Sequence, residues 1–128
     1  MVAVAQSRVD RLVGETRVVL SLDFQSTALA KRVAGLLEAA GPMSFARSQA
    51  RVDKRAVYRL VAELRVAVRA DEADGRITAA AAFGILSAAD DVHDAVFNAK
   101  PVPLTDHVRL PRERVDDLAL VLRRLVGA

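Results

Sequence analysis

The sequence predicts an all-α fold of five helices, arranged as two related helical hairpins plus a leading N-terminal helix. Three observations carry this expectation. Apolar residues recur at the i, i+3, i+4, i+7 spacing of a half-buried helix in five windows. Caps and breakers stand at the ends of those windows. The last part of the chain repeats the middle part at a nearly constant offset.

Ser7 is a candidate cap, followed by Val9, Leu12, Val13, Thr16, Val19 and Leu20, a first amphipathic helix. Asp23 to Ser26 is a polar break. Leu29, Val33, Leu36, Leu37 and Ala40 form the second stripe, stopped by Gly41-Pro42. Residues 42–52 read as a loop leading into an extended piece. Asp53 can cap a third helix, whose inward residues are Val57, Leu60, Val61, Leu64 and Val68. Asp74-Gly75 is a turn. Thr78 caps a fourth helix running to about Ala99, with Ala82, Ile85, Leu86, Ala89, Val92 and Val96 inward. Pro101-Val102-Pro103 breaks it, and Val108 to Leu110 is extended. Pro111 suits the first position of the last helix, with Val115, Leu118, Ala119, Leu122 and Val126 inward.

At 128 residues the chain is long enough for a single helical domain, 1–128, that buries roughly 65–70% of its extended surface. Hydrophobic residues make up 52% and aromatics only 4%, so the core is aliphatic rather than disordered or aromatic. The absence of cysteine excludes disulfides, cysteine nucleophiles and thiolate zinc sites. The start lacks a basic region followed by an apolar one, so it does not read as a signal peptide. The longest uncharged stretch, Ile77 to Ala89, falls short of the roughly 20 residues that cross a bilayer. A cytoplasmic protein is expected, with peripheral membrane contact left open.

Charge is unevenly spread. Residues 41–70 carry a net +5 and residues 71–98 a net −5. Such blocks steer an anionic partner, or let copies associate head to tail. Solvated helix faces account for most of these residues.

The repeat sets Val52-Asp53-Lys54-Arg55-Ala56-Val57 against Leu110-Pro111-Arg112-Glu113-Arg114-Val115, an offset of 58. It continues through Leu64 and Leu122, Arg65 and Arg123, and Val68 and Val126. Upstream, Pro42-Met43-Ser44-Phe45 matches Pro101-Val102-Pro103-Leu104 at an offset of 59. The units span about residues 24–70 and 78–126. Neither buries its apolar face alone, so the two are expected to pack together.

Leu86-Ser87-Ala88-Ala89-Asp90-Asp91-Val92-His93-Asp94-Ala95-Val96-Phe97, then Lys100-Pro101 and later Val115-Asp116, resemble the N-terminal domain of the DivIVA family in its actinobacterial form. Those proteins are scaffolds of polar growth and septation. The match covers about residues 86–125. The resemblance implies a scaffold that self-associates and recruits partners. It stops short of the family's long coiled coil, and Val108-Arg109-Leu110 stands where the family has a Gly-Tyr pair, so coiled-coil dimerisation is not implied. The family touches curved membrane through an exposed apolar side chain beside a basic one. Here Met43 and Phe45, with Arg47 and Arg51, come closest to that chemistry and are the candidate partner or membrane contacts. Leu120 and Val121, apolar among charged neighbours where the first unit has Ala62 and Glu63, are the candidate oligomer seam.

Other motifs carry less. Ala70 to Ala81 has the register of a calcium loop, but alanines stand at its first and twelfth positions, where calcium needs oxygen. No metal or cofactor is expected. The turn Asp74-Gly75-Arg76-Ile77-Thr78 resembles inter-helix turns of small phage proteins. No glycine-rich phosphate loop and no activated serine is present, so enzymatic activity is not expected. Lys54, Arg55, Arg59, Arg65 and Arg69 form a candidate anion-binding face on helix three. The loop before that helix, about 11 residues, is too long for a helix-turn-helix of 3–4. The expected function is a non-enzymatic scaffold or adaptor without a cofactor, forming homo-oligomers and recruiting protein partners. The alternatives are a small nucleic-acid-binding regulator, or a structural or accessory protein of a phage or other assembly.

Overall fold

The computed structural model describes residues 24–43 and 46–127. It contains helices α1 (Gln25–Glu38), α2 (Lys54–Ala73), α3 (Ala79–Phe97) and α4 (Arg112–Leu125). Strands β1 (Gly41–Met43) and β2 (Ala46–Asp53) lie between α1 and α2, and β3 (Lys100–Pro101) and β4 (His107–Pro111) lie between α3 and α4. The order helix, strand, strand, helix therefore occurs twice.

The all-α expectation is overturned. The four strands form one antiparallel sheet in the order β1-β2-β4-β3. Four helices, not five, stand among the described residues, and the expected leading helix lies outside them. The two stretches read as loops with extended pieces are β-hairpins, so the molecule is mixed α/β and not a helical bundle.

The reason is visible in β2 and β4. Ala50 and Val52 on one strand, and Val108 and Leu110 on the other, are buried and alternate with exposed or half-buried polar neighbours. That alternation is only two residues deep on each strand, too short to be read as a strand in isolation. Paired, the four side chains make one apolar patch that joins the helical core. Pro42 and Pro101 sit on the two outer strands, where a missing N–H costs no ladder bond.

The helices follow local chemistry closely. Asp53 accepts the backbone N–H of Ala56 at 3.1 Å and caps α2. Thr78 caps α3 through Ala81 N–H at 3.0 Å. Each such cap is worth about 1 kcal/mol. Gly75 takes φ +71° at the α2–α3 turn, a conformation that glycine adopts without a Cβ penalty. Two boundaries move: α3 ends at Phe97, and Pro111 is the residue before α4 rather than its first.

α1 packs on both α4 and α2, α2 on α3, and α3 on α4. Val57, Val61, Leu64 and Val68 of α2 are buried, as are Val115, Ala119 and Leu122 of α4 and Val126 just beyond it. Two polar ties hold the layers. Buried Asp71, near the end of α2, accepts from both the backbone N–H (3.1 Å) and the hydroxyl of Ser26 in the first turn of α1. Arg123 of α4 makes a two-pronged bond to Glu38 of α1, at 2.6 and 3.2 Å. Arg112 also donates to the backbone carbonyl of Ala40.

Candidate interaction surfaces

One face of the sheet is packed against the helices and the other is open. Directly opposed residues of an antiparallel ladder project to the same face. Lys100 pairs with Arg109, Arg109 with Arg51, and Arg51 with Gly41. The open face thus carries Lys100, Arg109 and Arg51 in one row across three strands. Gln49 opposite Pro111 and Asp53 opposite His107 flank the row. Arg47, exposed, extends it along β2.

Arg51 donates from Nε to Nδ1 of His107 at 2.8 Å. That bond requires the His107 tautomer with an unprotonated Nδ1. Among the described residues, Arg47, Lys100, Arg109 and Arg114 have no ion pair and no side-chain hydrogen bond. Lys100, Arg109 and Arg114 line an open groove of about 750 Å³ together with Asp94, Gln49, Asn98 and the apolar Ala95, Ala99, Leu110 and Pro111.

The first hairpin does not present the expected tip. Met43 is buried, so it is withdrawn as an exposed contact. Phe45 lies outside the described residues. Arg47 and Arg51 are exposed, but on the sheet face. The apolar residue that does stand at a tip is Leu104 of the second hairpin, fully exposed at φ +66°. Arg51, Arg55 and Arg59 share a shallow pocket with it.

The basic residues of α2 are not one free face. Arg55 pairs with Asp106 (3.3 Å), Arg65 with Asp90 of α3 (2.6 Å) and Arg69 with Glu72 (3.5 Å). Lys54 is half-buried, and Arg59 is exposed with no partner among the described residues. His93 stacks between Tyr58 (5.0 Å) and Phe97 (6.1 Å), an aromatic row across the α2–α3 seam rather than a ligand set. No group of three or more histidine and carboxylate side chains is gathered for a metal among the described residues.

Leu120 and Val121 are exposed on α4, at 45% and 47%. They continue a stripe that begins with Glu113 and Asp117 and ends with Arg124, all exposed. The stripe of α2 at the offset of 58 is Arg55, Arg59, Ala62, Glu63 and Val66, also exposed. The basic pair at the start of one stripe thus stands where the other has an acidic pair.

Sequence reasoning misses Arg109, Arg114 and Asp71 as site residues, and it touches Lys100 and Leu104 only through the resemblance and the repeat. Arg109 was within reach, because it is the repeat partner of Arg51. Asp71 gave no signal, since its partner Ser26 lies 45 residues away.

The Glu38 carboxyl is held below its ordinary range, first by the hydrogen bond from Arg123 and then by that residue's charge, against the opposing effect of burial. Arg123 is pushed up by the same bond. No helix among the described residues is long and apolar enough to cross a membrane. No protein-family model matches the chain, and no curated protein or solved structure matches it significantly.

Proposed function

We propose that the protein is a non-enzymatic scaffold whose copies join α2 of one to α4 of the next. The observation that carries this is the charge reversal between the two stripes. Arg55 and Arg59 correspond by the offset of 58 to Glu113 and Asp117, and Ala62 to Leu120. Laid side by side in parallel, α2 of one copy and α4 of another set basic against acidic side chains in the first two turns. In that register Ala62 meets Leu120, Glu63 stands opposite Val121 and Val66 opposite Arg124, so the exposed apolar Leu120, Val121 and Val66 gather around Ala62 with the opposite charges of Glu63 and Arg124 beside them. The antiparallel alternative sets Arg55 near Arg124 and is disfavoured by like charge.

Such a contact is heterologous. Each added copy leaves one stripe free, so assembly proceeds to a ring or a filament rather than stopping at a dimer. The charges set register and partner choice, and burial of the apolar residues contributes the larger share of affinity. The resemblance to the DivIVA scaffolds supports the same reading and points to cell division or polar growth. Partner recruitment then falls to exposed features outside the stripes, Leu104 at the second hairpin tip among them.

The test is a charge exchange followed by analytical ultracentrifugation. The wild type sediments as a concentration-dependent series that shrinks at high salt. Arg55→Glu with Arg59→Glu yields monomers, and so does Glu113→Arg with Asp117→Arg. Mixing the two variants restores large species, because every contact between them is again complementary. A wild type that stays monomeric at high concentration, or variants that assemble like it, ends the proposal.

A further inference from the structure

The row Lys100–Arg109–Arg51 is costly as it stands. Directly opposed side chains on one face of an antiparallel ladder have Cβ atoms about 4.5–5.5 Å apart, and like charges there repel. Arg109 is flanked by a cation on each side. Neither it nor Lys100 has a carboxylate partner among the described residues. Asp53 caps α2 and Asp106 is paired with Arg55, while Asp94, exposed and 3.4 Å from His93, is the one carboxylate that lines the groove and makes no ion pair with Lys100 or Arg109.

We propose that this open sheet face binds the phosphate backbone of duplex nucleic acid, with Lys100, Arg109, Arg51 and Arg114 as its contacts. Three features select that ligand. The cations are spread over three strands and the first turn of α4 instead of converging on a point, which suits a line of phosphates better than one small anion. The cations stand on adjacent strands of a four-stranded antiparallel sheet, and sheets are among the elements that read duplex DNA. Gln49 beside the row offers an amide with donor and acceptor for a base edge. The fully exposed Leu104 stands beside Arg51 at one end of the row, so a lipid surface is the competing ligand, and the vesicle arm of the experiment separates it from the duplex.

The arrangement is also centred. Arg51 and Arg109 are 58 residues apart and oppose each other, so the two halves of the sheet run away from this pair in opposite directions. A duplex has the same local two-fold relation between its strands.

Fluorescence anisotropy of a labelled 20-base-pair duplex, titrated at several salt concentrations, tests the proposal. Four phosphate contacts predict a log–log salt slope of about −3.6, a loss of about 150-fold in affinity from 50 to 200 mM salt. Arg109→Gln and Lys100→Gln each lower the slope by about 0.9, with circular dichroism unchanged. Arg69→Gln, at the far end of α2, leaves it unaltered. Absence of binding at 50 mM salt overturns the proposal, as does an equal effect of all three substitutions. Row-dependent pelleting with anionic phosphatidylserine vesicles, without duplex binding, would assign the face to a membrane and likewise overturn it.

Discussion

Arg51 and Arg109 face each other directly across the two central strands, and each is the counterpart of the other in the repeat. Pro42 and Pro101, matched at an offset of 59, also pair equivalently, with Ala50 and with Val108. The extra residue of the first unit falls in its hairpin, where the ladder register shifts between Pro42 and Met43. Two cations at the centre of a ladder are an electrostatic cost that the fold carries without offset among the described residues.

Replacing Arg109 by Glu turns both cross-strand contacts from repulsive to attractive. Each changes by a fraction of a kcal/mol, so stability rises by about 1 kcal/mol. For a domain of this size the thermal midpoint rises by about 3–5 °C. The gain shrinks in 1 M salt, where the Debye length is about 3 Å. A calorimetric scan in low and high salt checks both signs.

Asp71→Ala is expected to cost about 3 kcal/mol. It removes a buried acceptor and leaves the N–H and hydroxyl of Ser26 unsatisfied at the start of α1. Ser26→Ala removes only the hydroxyl bond and costs about 1 kcal/mol. In urea denaturation the double variant should fall well short of the sum, because both changes act on one contact.

The Glu38–Arg123 bond makes a small part of stability depend on pH. The folded Glu38 pKa is depressed, so folding favours the ionised form. The contribution is present above the unfolded value and is lost as pH falls through the folded one. The loss therefore lies in the acid range below about pH 4.3. The pair is partly exposed, at 45% and 30%, so its worth is about 1 kcal/mol or less after screening. Glu38→Gln should flatten this step in a stability–pH profile and leave the neutral range little changed.

Leu104 holds a left-handed backbone with its side chain wholly in solvent. A left-handed residue with a Cβ costs roughly 1–2 kcal/mol. Leu104→Gly removes that cost and sacrifices no buried surface, while the freer unfolded chain takes back part of the gain. The net expectation is about 0.5–1 kcal/mol of added stability in equilibrium unfolding. If Leu104 is a partner contact, the same variant loses recruitment while it gains stability.

The features legible in the amino-acid string are those that neighbouring residues decide together. The caps at Asp53 and Thr78, the turn at Asp74-Gly75 and the inward faces of α1 to α4 depend on contacts within a few residues. The repeat offset is also a property of the string alone. The sheet was decided only by tertiary structure. Ala46–Asp53 has two buried aliphatic positions among arginines, serine and glutamine, and its strand character comes from a partner more than 50 residues away. The same holds for the surfaces. Arg47 and Arg51 were legible as exposed cations, but Lys100 and Arg109 joined them only when β3 and β4 brought three strands into register. Met43 left the surface for the same reason, because the hairpin turns it inward. Pairing at long range is set by which apolar patches can be covered at once, and no local pattern encodes that choice.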